Sequence, residues 1–162
     1  MTEPHIHEAV AYAKMIRSVA RALSIDWLRY EELRHLQDLD DDEALELREM
    51  RELVGEFETE GQALGHLEPL DLSVRCVSWS PTDDELVPDE YRVLLSTGGP
   101  EVYISGKLSE NRAAKVAEIW SCDWFLSPRR LTDQDWVDVT GKPAPAGWRG
   151  DLLAFAQLYF GE

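Results

Sequence analysis

Apolar residues recur at helical spacing as far as Glu68-Pro69, and beyond that point they fall in short β-branched and aromatic runs separated by turn residues. A 3.6-residue period and a two-residue period serve different backbones, so a chain that switches between them carries helices first and strands second. The expectation is an α+β fold: N-terminal helices, a four-stranded antiparallel sheet and a C-terminal helix. No Gly/Ser-rich linker separates the halves, and a helical half of about 70 residues is marginal alone. Residues 1–162 therefore read as a single domain, with a helical acidic segment over 1–70 and a sheet plus C-terminal helix over 71–162.

The first helix is predicted over Ile6 to Leu23, where Ile6, Val10, Ala13, Ile16, Ala20 and Leu23 form one stripe uninterrupted by Pro or Gly. Asp26 is placed to cap a second helix, Trp27 to Leu36, with Ile25 and Tyr30 positioned as a hydrophobic staple. A third begins in Asp40-Asp41-Asp42-Glu43, whose carboxylates suit the positive end of the helix dipole. Leu47, Met50, Val54 and Phe57 supply its apolar stripe. Gly55 sits inside that pattern, at a cost of about 1 kcal/mol relative to Ala, and the helix should end before Gly61 or Gly65.

Leu72 to Trp79 alternates as a half-buried strand, and Pro81 to Pro88 is a loop. Tyr91–Ser96 and Glu101–Ser105 flank Thr97-Gly98-Gly99-Pro100, a hairpin signal because adjacent glycines supply the positive φ of a tight connection. Ala114 to Phe125 supplies a fourth strand, paired with the preceding one in a meander. Pro128 to Gly150 reads as irregular, and Asp151 to Phe160 as a last helix with Leu152, Phe155, Ala156 and Tyr159 on one side. Trp79, Trp120 and Trp124 lie on or beside strands and are assigned to the core, whereas Trp136 and Trp148, in the irregular segment, are left between packing and an exposed anchor.

Charge narrows the function classes. The chain holds 16 Lys+Arg against 32 Asp+Glu, a formal charge of -16. That balance argues against direct nucleic-acid binding, whose footprint is basic. Asp26 to Glu60 alone carries 14 acidic and 4 basic side chains. No apolar run approaches the roughly 20 residues of a membrane span, so no membrane partner is expected. No Lys/Arg-led apolar segment opens the chain as a secretory signal would. Cys76 and Cys122 form no CxxC pair, and a reducing cytoplasm is the default.

Catalytic signatures are wanting, and no catalytic residue is assigned. Gly98-Gly99-Pro100 lacks both GxGxxG and GxxxxGK[ST], and it joins strands, so no helix N-terminus waits for a phosphate. Ser96 and Thr97 have no GxSxG elbow. His5-Ile6-His7 offers two nitrogens where a metal needs more, and His35 and His66 stand at no ligand spacing. Asp40 to Asp42 does not follow the EF-hand pattern. No metal and no cofactor is expected. The acidic loops around Asp83, Asp84, Glu85, Asp89 and Glu90, and around Asp133, Asp135 and Asp138, single out no general acid.

What remains is the acidic helical surface. Glu46, Glu49, Glu52, Glu56 and Glu60 recur every three or four residues, and on a continuous helix such carboxylates lie about 4.5–6 Å apart along the axis. Phosphates of one DNA strand repeat on a similar scale. The row, aided by Asp38, Asp40, Asp41 and Asp42, is thus a candidate phosphate substitute, against the plainer reading of a solvated helix face. Arg48 stands four residues before Glu52 as its i,i+4 partner, whereas Arg51 has no carboxylate at that spacing.

Tyr91-Arg-Val-Leu-Leu-Ser-Thr-Gly-Gly-Pro100, continued by Glu101-Val-Tyr-Ile-Ser-Gly-Lys-Leu108, resembles a segment of small acidic proteins of bacterial plasmids, integrative elements and phages. Trp120-Ser-Cys-Asp-Trp-Phe125, Leu158-Tyr-Phe-Gly-Glu162 and Ile25-Asp-Trp-Leu-Arg-Tyr-Glu-Glu-Leu33 are similar to that group too, while the stretch after Phe125 departs from it. The resemblance implies a mobile-element setting and no established activity. Together these readings predict a non-enzymatic cytoplasmic inhibitor that mimics DNA and blocks a basic nucleic-acid-binding host protein of the restriction or CRISPR type. The competing classes are a small enzyme with a carboxylate-lined pocket and a plain dimerising module; a homodimer stays open.

Overall fold

Ile6, Ala9, Val10, Ala13 and Ile16 are all buried on one side of helix α1, Pro4–Ala22, as the stripe in the sequence requires. The computed structural model describes residues 3–67, 71–75, 89–97 and 99–161. Contacts divide the chain into two compact units: residues 1–16 with 69–162, and residues 17–68. The boundary near Glu68-Pro69 is one of the two divisions, and α1 is the element that runs across the other.

In the helical unit, α2 is Trp27–His35 and α3 is Asp41–Val54. Asp26 caps α2 by accepting the Arg29 amide at 3.1 Å. Asp40 and Glu43 form a capping box on α3: the Glu43 amide donates to Asp40 at 2.8 Å, and the Asp40 amide donates to Glu43 at 3.2 Å. Gly55 does not lie inside the helix; it is the C-cap, with φ 61° and ψ -122°, a positive φ that a side chain would strain. Phe57 is buried beyond that turn. A short helix α4, Glu60–Leu64, follows, capped by Thr59.

The sheet is an antiparallel meander in chain order, β1 (Asp71–Arg75), β2 (Glu90–Ser96), β3 (Glu101–Lys107) and β4 (Glu118–Cys122). A two-residue β5, Arg129–Arg130, extends it beyond the four strands read from periodicity. Cys76, Trp79 and the loop to Pro88 lie outside the described residues, as does Gly98 of the hairpin turn. Tyr91, Val93, Val102, Ile104 and Ile119 are buried on one sheet face, while the alternate residues Arg92, Tyr103, Ser105, Glu118 and Trp120 are half-exposed. Gly106 pairs with Tyr91 on the buried face, where the Val116 carbonyl crosses it; a Cβ there would stand 1.7 Å from that oxygen.

Residues 128–150 are not irregular throughout. They hold helix α5, Asp133–Thr140, opened by a Thr132–Asp135 capping box. Helix α6, Trp148–Gln157, begins three residues earlier than periodicity suggested and packs against β4. Trp136 and Trp148 are buried, their rings 5.6 Å apart, and the Trp148 indole donates to Asp133 at 2.9 Å. Trp124, assigned to the core from its place after a strand, is instead 71% exposed, because the strand stops at Cys122 and Asp123 opens a turn.

Candidate interaction surface

At 100° per residue, Leu47, Met50 and Val54 define the inward side of α3. Glu43 and Glu46 flank it. The outward side carries Asp41, Asp42, Leu45, Arg48, Glu49 and Glu52, all exposed. Glu49 and Glu52 are about 4.5 Å apart along the axis, and Asp42 and Glu49 about 10.5 Å. Leu45, 50% exposed, lies among these carboxylates.

The carboxylates singled out by sequence separate into three groups. Glu46 is neutralised: Arg29 of α2 donates to it from Nε at 3.4 Å and from Nη2 at 3.1 Å. The same guanidinium lies 3.6 Å from Glu32 and 3.8 Å from Glu43, and the hydrogen bond to Glu46 is the main reason its pKa is raised. Asp40, Asp41 and Asp42 serve the start of α3, Asp40 as cap and the other two in the first turn, where the dipole favours negative charge. Asp38, Glu49, Glu52, Glu56 and Glu60 are exposed and have no ion pair among the described residues.

The expected row is shorter than its sequence period. Because Gly55 ends α3, the helix carries Glu46, Glu49 and Glu52, but Glu56 follows the turn and Glu60 opens α4. Arg48 makes no ion pair with Glu52. Arg51 is likewise exposed, without an ion pair among the described residues, and lines a cavity of about 620 Å³ with Tyr30, Arg34, Phe57 and Glu58. Arg34 is held there by Glu31 at 3.1 Å.

Sequence reasoning missed a different feature. Asp123 to Leu126 is a turn closed by the Leu126 amide donating to the Asp123 carbonyl at 2.9 Å, and the Asp123 carboxylate accepts the Trp124 amide at 2.8 Å. Trp124, Phe125 and Leu126 are displayed on it, exposed by 71%, 98% and 51%. Asp123 after the β4 alternation, a side chain suited to turns, was the available signal.

Among the described residues no group of three His, Cys, Asp or Glu is arranged to hold a metal ion, and no helix is long and apolar enough to cross a membrane. No family model, no curated protein and no solved structure matches the chain.

Proposed function

We propose that the protein works by binding, without catalysis, and that carboxylates of residues 38–60 take the place of nucleic-acid phosphates on a cationic partner. The observation that carries this reading is the set of exposed carboxylates without an ion pair among the described residues: Asp38, Glu49, Glu52, Glu56 and Glu60, with Asp41 and Asp42 beside them at the head of α3. Glu49 and Glu52, about 4.5 Å apart along α3, repel one another in the free protein. A surface of Lys and Arg relieves that repulsion and adds its own attraction, in a form that salt weakens.

Glu46 does not take part, since its charge is spent on Arg29. Leu45 gives the face an apolar centre, so the partner gains contact area that phosphates alone do not offer. The mobile-element resemblance extends the proposal to the partner's class, a nucleic-acid-binding defence protein of the cytoplasm. The test is retention of a basic protein from host lysate at low and at high ionic strength. Wild type should retain it only at low salt, and the Glu49→Gln/Glu52→Gln/Glu56→Gln variant should lose it while keeping its circular dichroism spectrum. A variant that retains the same protein equally well overturns the proposal.

A further inference from the structure

We infer that the turn carrying Trp124, Phe125 and Leu126 is a self-association site, whose occupant is the same turn of a second copy of this chain. Phe125 is almost wholly in water, and three consecutive large apolar side chains at one tip are more than scattered surface apolarity accounts for. The turn is held by two hydrogen bonds of Asp123, so little order has to be gained when it docks.

Two observations select a second copy. An isologous contact uses the same patch on both partners, so that patch must hold both a projection and a recess to receive it. Here both are present. A cavity of about 230 Å³ adjoins the turn, with Trp124, Leu126 and Cys122 on one part of its wall and Asp123, Thr97, Gly99 and the Arg92-paired Glu101 on the rest, and Phe125 is not among its walls. It projects from the turn while its two neighbours line the recess, and a recess of this size admits one aromatic ring.

The second observation is area. At 150–250 Å² for a fully buried aromatic side chain, these three residues expose roughly 400 Å² per copy. Two copies bring together about 800 Å², below the roughly 1,200 Å² at which stable interfaces begin and within the range of weak, transient ones. The expected dimer is therefore weak and reversible.

Charge gives the inference its own signature. Two copies of -16 repel at a distance, so added salt should strengthen the dimer. The proposed cationic partner shows the opposite dependence, which keeps the two readings distinguishable. The test is sedimentation of the full chain from low to high micromolar concentration, at about 50 mM and about 500 mM salt. Wild type should rise from 18.5 kDa toward twice that mass, more at high salt. Phe125→Ala should weaken association by about tenfold or more, and Glu49→Gln/Glu52→Gln/Glu56→Gln should leave it intact or stronger. Because Phe125 is exposed, the alanine variant keeps its fold, checked by an unchanged thermal midpoint. A chain that stays monomeric throughout, or a Phe125→Ala variant that associates as wild type does, overturns the inference. In the first case, co-sedimentation with phosphatidylcholine vesicles that Phe125→Ala abolishes would reassign the turn to a lipid surface.

Discussion

Replacing Gly106 by Ala adds one carbon where the Val116 carbonyl already lies. The new Cβ would stand 1.7 Å from that oxygen, 2.6 Å from its carbon and 3.1 Å from Tyr91 Cε1. Backbone has to move, and that backbone is tethered. The Val116 carbonyl accepts the Tyr91 hydroxyl at 2.8 Å, the Lys115 amide donates to the Lys107 carbonyl at 2.9 Å, and Leu108 bridges Ala114. Overpacking of this kind costs about 1–3 kcal/mol, and losing the Tyr91 hydrogen bond adds about 1 kcal/mol. The sum is roughly 2–4 kcal/mol, or a fall of roughly 5–15 °C in melting temperature for a chain of this size. Urea unfolding followed by tryptophan fluorescence measures it, with Tyr91→Phe as the second corner of a double-mutant cycle. The two substitutions share the Val116 carbonyl, so the double variant should lose less than the sum. A Gly106→Ala protein within about 0.5 kcal/mol of wild type refutes the reasoning.

Three further outcomes follow from the helix ends. Asp135 is buried and accepts Arg129 Nη2 at 2.7 Å, the Thr132 amide at 2.7 Å and the Thr132 hydroxyl at 2.9 Å, so Asp135→Ala should cost roughly 2–3 kcal/mol in urea unfolding. Asp40→Ala removes one half of the capping box and should cost about 1 kcal/mol by the same assay. The Asp133 carboxyl is held below its usual pKa of 3.8, first by the Trp148 indole and then by Arg149. Its folded-state value is the lower one, so its contribution is present in full above about pH 4 and disappears as pH falls through that lowered value. Asp133→Asn should therefore be less stable than wild type at neutral pH and converge with it in acid, as a pH series of thermal midpoints will read.

Local chemistry was legible in the sequence, and partnership was not. Asp26, Asp40 and Glu43 announce their helices because a cap is a contact between residues three apart, fully written in the chain. The β2–β3 pairing follows from its short connection for the same reason. Helix α5 is hidden in the sequence because Pro128 precedes its eight residues and Gly141, Pro143 and Pro145 follow them, although Thr132 and Asp135 are a cap at the right spacing. Gly55 falls within the apolar period yet ends the helix, so the period in the sequence carries the acidic row to Glu56 and Glu60, beyond the helix that bears it. The tryptophans mark the limit most clearly. Which of Trp124, Trp136 and Trp148 is buried depends on whether a distant element arrives to cover it: Trp136 and Trp148 cover each other, and nothing among the described residues covers most of Trp124. Neutralisation of Glu46 is of the same kind, because Arg29 lies 17 residues away on another helix.

The most direct measurement of the central claim is competition. A host protein held at low salt by the wild-type chain is challenged with an excess of duplex DNA, beside the Glu49→Gln/Glu52→Gln/Glu56→Gln variant. Carboxylates that occupy a phosphate site predict displacement by the duplex and no retention by the variant. Retention undisturbed by DNA, or equal retention by the neutralised variant, contradicts it.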